Sequence, residues 1–242
     1  LPACASRHSL LWRLGISYFD QDGGMKLVNG WWCPDYDDNL NVAIKTVPTF
    51  AGRPTYMLKW FLRCTPYIRD FRHAVDVGAH IGLWSWPMSR CFVRVTAFEP
   101  VSTHAECFVR NLNGFANVTL RQLALGATEG EVDMAIKPPW SVKARVRTKE
   151  VGAPSICPMT TLDDAIDPDG LDFLKIDCEG YELRVIEGGE QVIRNAKPLI
   201  LIEQKPLNVV RYGFGQQAIE LLQDWGATVH WDAGGDFCMG WV

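Results

Sequence analysis

The sequence has no Cys-x-x-Cys pair, no Gly-x-Gly-x-x-Gly loop, no internal repeat, no low-complexity tract and no apolar run of transmembrane length. Without paired cysteines or a cysteine/histidine cluster, a structural zinc site is excluded, and no metal is expected. The eight cysteines are scattered, at positions 4, 33, 64, 91, 107, 157, 178 and 238. In a chain this long they are expected to be buried, reduced thiols, which points to a reducing, cytoplasmic compartment. Crossing a bilayer takes about 20 consecutive apolar residues, so no membrane partner is expected. At the N-terminus Arg7, His8 and Arg13 interrupt the apolar residues, unlike a signal peptide. Positive charge is not in excess either. The net charge of -4 leaves no global footprint for nucleic acid.

What is present is a chain of 242 residues, 48% hydrophobic and 21% charged, the profile of a soluble α/β domain with additions. Its organising stretch runs from Ala74 to Gly82. A short apolar run (Ala74, Val75, Val77) carries one acid, Asp76, and breaks at Gly78. Ala79, His80 and Ile81 follow, then Gly82 and an apolar helix-like run from Leu83. A strand, a glycine turn and a helix start bring a ligand close to bare backbone. A dinucleotide loop aligned on Gly78 would need glycine at His80 and Leu83, so that cofactor class fits poorly. The wider Gly-x-x-x-Gly loop suits a ligand without pyrophosphate, such as S-adenosyl-L-methionine, with Asp76 available to an ammonium group.

Along the chain, Met25 to Trp32 and Leu40 to Val47 predict two strands joined by the acidic turn from Pro34 to Asn39. Trp31 and Trp32 are packing residues or part of a substrate wall. Arg53 to Asp70 predicts a helix with Pro54 in its first turn. Strands follow at His73 to Val77, Val93 to Phe98, Asn117 to Gln122 and Val132 to Ile136. Helices fall at Ile81 to Cys91 and, behind a Thr103-x-x-Glu106 capping box, as far as Asn113. Pro138 to Gly152 predicts a loop which, with Lys137 before it, carries Lys143, Arg145, Arg147 and Lys149. The remainder predicts strands at Ile156 to Met159, Leu171 to Asp177 and Pro198 to Glu203. It adds helices at Leu162 to Ile166, Tyr181 to Asn195 (broken at Gly188-Gly189) and Phe214 to Trp225. Ala227 to Trp231 and Asp236 to Trp241 close as an antiparallel pair. Strands alternating with helices give a mostly parallel sheet covered on both faces. The division expected is an N-terminal extension, 1–70, that caps the substrate, and a cofactor-binding domain, 71–242.

Ligands of such sheets bind beyond the carboxyl ends of the strands. Those ends carry Asp76, Gly78 and His80; Glu99 with Pro100; Gln122, Leu123 and Ala124; Asp177 and Glu179; and Glu203 and Lys205. Glu99 follows Asp76 at close to the roughly 20 residues expected of an acid that accepts from ribose hydroxyls. Gln122 to Ala124 would lie beside an adenine. Lys175 shares a face with Asp177 and, inside a covered strand, needs a carboxylate partner, Asp76 or Glu203.

Five stretches together resemble the FkbM family of S-adenosylmethionine-dependent methyltransferases. They are Val75 to Gly82, Phe98-Glu99-Pro100, Ala124-Leu125-Gly126, Thr160 to Asp164, and Leu174-Lys175-Ile176-Asp177-Cys178-Glu179-Gly180-Tyr181-Glu182. His80 departs from the asparagine frequent at its position, and Cys178 from a small aliphatic residue. The resemblance implies a class I Rossmann-like fold with a seven-stranded, mostly parallel sheet. It also implies S-adenosyl-L-methionine as cofactor, S-adenosyl-L-homocysteine as product, and transfer to a hydroxyl. The cofactor residues would be Asp76, Gly78, Ala79, His80, Gly82, Glu99, Pro100, Gln122, Leu123, Ala124 and Asp177. A base must take the hydroxyl proton; Asp177 is the first candidate, with Glu179 and His80 next. The basic segment 137–149 suggests a small acceptor such as a sugar or a phosphorylated compound. Three alternatives stay open: transfer to a nucleotide ribose 2′-hydroxyl, an inactive cofactor-binding partner module, and a nicotinamide-dependent oxidoreductase. The sequence does not define the oligomeric state.

Overall fold

The computed structural model describes residues 24–45, 47–137, 140–148, 155–206, 212–213 and 215–241. Cys4, the N-terminal segment compared with a signal peptide, Lys149 and Phe214 lie outside them. The central sheet has seven strands. In chain order they are β5 (His73–Val77), β6 (Arg94–Phe98), β7 (Val118–Arg121), β12 (Leu171–Ile176), β13 (Leu199–Glu203), β14 (Thr228–Asp232) and β15 (Asp236–Gly240). Their order across the sheet is β14-β15-β13-β12-β5-β6-β7; only β15 runs against its neighbours β13 and β14, and the other pairings are parallel. The middle strands β5, β12 and β13 are buried at every residue, as strands covered on both faces must be.

One face packs Val75, Leu174, Ile176, Ile200 and Ile202 against the helices α5 (Leu162–Ala165), α6 (Glu182–Glu187), α7 (Glu190–Ala196) and α8 (Gln217–Asp224). The other packs Ala74, Phe173, Leu199 and Leu201 against α2 (Leu58–Cys64) and α3 (Ser85–Cys91). Helix α4 (Ser102–Asn111) links β6 to β7. The expected break of the 181–195 helix falls at Gly188-Gly189. A Cβ on Gly188 would stand 2.0 Å from the Gly126 carbonyl oxygen, so the chains can meet there only over glycine. None of the described helices is long and apolar enough to cross a membrane.

The N-terminal segment departs most from expectation. Met25 to Trp32 is not one strand. β1 (Met25–Val28) and β2 (Trp31–Pro34) pair around Asn29-Gly30, both at positive φ (48° and 83°), a turn that matches hairpin twist. Leu40 to Val47 is not a strand but belongs to α1 (Asp38–Lys45). The apolar alternation Leu40, Val42, Ile44 suggests a strand. However, Asp37 caps the helix by accepting the Leu40 N–H (2.8 Å), and Leu40 and Ile44 share the buried face while Val42 is exposed. The expected helix from Arg53 begins only at Leu58. Before it, β3 (Thr49–Phe50) and β4 (Arg53–Pro54) make a small hairpin around Ala51-Gly52. The Arg53 guanidinium lies between the rings of Trp31 and Trp86, at 4.5 and 4.1 Å, and keeps the chain extended there.

Three further corrections concern the core. Helix α3 starts at Ser85 rather than Ile81, so Pro87 occupies its first turn, where no amide donor is needed, and causes no kink. The Thr103/Glu106 capping box does not form; α4 starts from Val101, whose N–H is held instead by Glu99 Oε1. The basic segment is not a loop throughout. β10 (Trp140–Val146) pairs with β9 (Gly130–Lys137) in a four-stranded sheet with β8 (Ala124–Leu125) and β11 (Ile156–Thr160). Its signal is alternation: Ala144 and Val146 pack against a small core with Met134 and Ile136, while Lys143 and Arg147 take the other face.

The β1–β2 hairpin docks on α4 through Asn111, which is buried. Its side chain accepts the Trp32 N–H (2.7 Å) and donates to the carbonyls of Trp32 and Ile81 (2.9 Å each). Asn111→Ala removes all three bonds and leaves backbone groups without partners. It should lower the unfolding free energy in urea denaturation by about 2–4 kcal/mol.

Candidate active site

The parallel register sets Lys175 of β12 opposite Asp76 of β5. The two form a buried ion pair at 3.1 Å, and the lysine also donates to the carbonyls of Val77 (3.0 Å) and Gly78 (2.8 Å). Asp76 further accepts from Ser85 Oγ (2.7 Å). Burial works against the lysine charge, but Asp76 and Asp177 hold its proton affinity above the ordinary range. The ammonium that Asp76 receives is therefore that of Lys175. Gly78, at φ 72°, follows; a Cβ there would stand 1.9 Å from the Asp177 carbonyl oxygen, so the turns after β5 and β12 can touch only with glycine.

Beyond these strand ends opens a cavity of about 300 Å³. Of the residues expected at the site, Gly78, Ala79, His80, Glu99, Pro100, Leu123, Ala124, Asp177 and Glu179 line it. Three do not. Asp76 lies behind the loop with Lys175, Gly82 packs under Phe108 and Leu112, and Gln122 is not on the wall. One end of the cavity has an apolar wall of Leu123, Ala124, Leu125, Phe98 and Met134; Lys143, Ala144 and Val146 of β10 complete that side.

Glu99 is held from three directions. Oε2 accepts the His80 N–H (2.8 Å), and Oε1 accepts the Val101 N–H (3.0 Å) and faces His104 Nδ1 (3.2 Å). His80 adopts a left-handed φ of 52°. Burial, then the neighbouring His104 and Lys175, push its imidazole well below the usual proton affinity, so it stays neutral.

At the other end stand acids. The turn after β12 carries Asp177, Cys178 and Glu179. Glu182, the first residue of α6, braces it: its Oε1 accepts the N–H groups of Cys178 (3.0 Å) and Gly180 (2.9 Å). Burial raises the Glu182 carboxyl to about 7. The Cys178 thiol is pushed well above its usual range by burial and by Glu182 and Asp177, which keeps it protonated and unreactive. Glu203, at the end of β13, completes the group, with Lys205 paired to it. Asp177, Glu179 and Glu203 bring ligand oxygens within 4.8 Å of one another. These acids have the chemistry to hold a cation, although no metal is expected from the sequence, and the Lys205 ammonium already sits against Glu203. Burial, then Asp177, raises Glu203 to about 8, while Lys205 works the other way.

Sequence reasoning found Glu203 and Lys205 only as strand-end residues and passed over His104 and Tyr36. A histidine in the first turns of the helix after Glu99-Pro100 was the available signal for His104. Tyr36 gives no signal in sequence, because only the fold brings its turn to α4.

The strand order, the antiparallel β15 and the cavity at the strand ends define a class I methyltransferase architecture. Residues 76–228, more than half of the chain, match the methyltransferase FkbM domain, and the chain belongs to that family of S-adenosylmethionine-dependent methyltransferases. No curated protein matches the sequence. Among solved structures it is similar to methyltransferase FkbM from Methylobacillus flagellatus KT, with 20% identity and a TM-score of 0.46. That alignment covers 71% of this chain and 43% of the other. A precorrin-6y C5,15-methyltransferase from Geobacter metallireducens GS-15 is 16% identical, with a TM-score of 0.47 over 83% of this chain and 97% of that one. A SAM-dependent methyltransferase from Aquifex aeolicus is 17% identical, with a TM-score of 0.42 over 75% and 86%.

The raised carboxyls set a pH dependence. Glu203 and Glu182 bind protons more tightly folded than unfolded, so stability grows as pH falls from about 8. Below about 6.5 the trend turns. His73, lowered to about 4 by burial and Arg94, and His80 then bind protons more tightly in the unfolded chain. Tm is expected to rise between pH 8 and 6.5, and Glu203→Gln should flatten much of that rise in thermal melts.

Proposed function

We propose that this protein transfers the methyl group of S-adenosyl-L-methionine to a hydroxyl oxygen of a small acceptor, a sugar or another small metabolite. The observation that carries this reading is the polarity of one cavity. An apolar slot runs from Glu99 at one end to Asp177, Glu179 and Glu203 at the other. The donor set suits the cofactor. Leu123, Ala124, Leu125 and Met134 offer an apolar surface to an adenine. A carboxylate has about four lone-pair sites, and protein donors use three on Glu99, which leaves one on Oε2 for a ribose hydroxyl. Asp177 offers an acceptor for the ammonium of the amino-acid part.

The cofactor supplies the electrophilic methyl group, so the protein's work is positioning, exclusion of water and removal of one proton. Asp177 is the first candidate base. Glu203 joins it, because its raised proton affinity makes it the stronger base of the cluster once ionised. Lys205 would steady the charges left behind. The rim lysines Lys143 and Lys205 support an acceptor with an acidic or phosphorylated substituent. A ribose 2′-hydroxyl is the second reading. It gains from Glu203, which stands beside Asp177 and Lys205 where a Lys-Asp-Lys-Glu catalytic set needs its glutamate. A reducing, cytoplasmic location is in keeping with the described cysteines, which are all free thiols.

Calorimetric titration is expected to show micromolar-range binding of S-adenosylmethionine and S-adenosylhomocysteine. Glu99→Ala should weaken it about tenfold, as the loss of a hydrogen bond to a charged group does. No binding by the folded protein would sink the reading. Asp177→Ala should stay folded yet release no S-adenosylhomocysteine in a panel of sugars, phosphorylated compounds and nucleosides that the parent protein methylates. Full turnover by that variant would remove Asp177 from catalysis.

A further inference from the structure

We propose that Tyr36 and His104 are positioning residues that hold Glu99 in its cofactor-binding orientation, so that the N-terminal hairpin segment is part of the ribose subsite. The inference rests on the cofactor reading above and deepens it.

Tyr36 lies in the turn between β2 and α1, and His104 in the first turn of α4. The Tyr36 hydroxyl stands 3.1 Å from His104 Nε2 and 3.4 Å from Thr103 Oγ1. On the other side of the ring, His104 Nδ1 stands 3.2 Å from Glu99 Oε1. A carboxylate only accepts, so Nδ1 donates. In the neutral ring Nε2 then accepts, and the Tyr36 hydroxyl donates to it. Burial pushes the Tyr36 phenol up to about 12, which keeps that proton in place. His104 is 1% exposed, and the His80 ring meets it edge to face at 4.4 Å, so it has little room to turn.

The chain of bonds has a consequence for Glu99. Val101 N–H and His104 saturate Oε1, and His80 N–H takes half of Oε2. The remaining acceptor site is then a single lone pair, fixed in direction by groups from three separate segments. Without His104, Oε1 regains a site and the carboxylate can rotate, so the ligand must order it on binding. Sequence spacing accounts for Glu99 alone. The relay exists because Asn111 and Trp32 dock the hairpin on the same helix that carries His104.

The test is calorimetric titration with S-adenosylhomocysteine across a double-mutant cycle. His104→Leu should weaken binding about tenfold and Tyr36→Phe about threefold, while His104→Asn, which keeps a donor near Nδ1, should restore most of the affinity. In a Glu99→Gln background, His104→Leu should have little further effect, because it acts through Glu99. Wild-type affinity in both His104→Leu and Tyr36→Phe would overturn the proposal. So would an equal loss with and without the Glu99 carboxylate, which marks a merely structural role. Should His104→Leu fail to fold, Tyr36→Phe, which deletes one oxygen atom, decides alone. Absence of binding by the parent protein would instead bring down the cofactor reading, and this inference with it.

Discussion

The buried pair of Lys175 and Asp76 is the interaction on which the site depends. It ties the two central strands at the point where both turn into the cavity. Breaking a buried pair by removing one partner typically costs about 3–5 kcal/mol, because the other charge is stranded. Here the lysine does more than neutralise an acid. Its remaining donors go to the carbonyls of Val77 and Gly78, so the glycine turn is held from behind. That turn in turn fixes His80, whose amide holds Glu99. Charge pairing in the core therefore sets the shape of both ends of the cavity.

A second dependence runs from the N-terminal segment inward. Asn111, Arg53 and Tyr36 each join that segment to the sheet domain, by backbone hydrogen bonds, by stacking between two tryptophans, and by the histidine relay. Trp31 is fully buried and meets Trp86 edge to face, so of the two roles open to it in sequence it takes packing. The segment is built into the wall around the cofactor end rather than resting on the acceptor end. On that opposite side, β10 brings Lys143, Ala144 and Val146 to the cavity.

Much of the fold was legible because parallel strands covered on both faces have few solutions. Runs such as Leu199–Glu203 and Leu171–Ile176 are apolar throughout and bounded by turn residues, and that pattern identifies them without further help. The misreadings share a cause. Leu40, Val42 and Ile44 alternate like a strand, but a cap at Asp37 decides for helix. The 143–147 segment looks like a basic loop until its small residues find a core. Periodicity over so few residues fits both periods, and the neighbours choose between them.

For the site, sequence sufficed wherever a residue acts through its position at a strand end. Gly78, Glu99 and Asp177 line the cavity because topology places every such end on one edge of the sheet. It did not suffice wherever a role depends on a partner distant in the chain. Glu203 owes its raised proton affinity to burial and Asp177, and His104 its place to Glu99 and Tyr36. The sequence by itself determined the fold class and the strand-end constellation, since both follow from local hydrophobic pattern and chain order. Only the tertiary structure decided which carboxylates are satisfied and which face the ligand, because hydrogen bonding and desolvation are properties of the assembled neighbourhood.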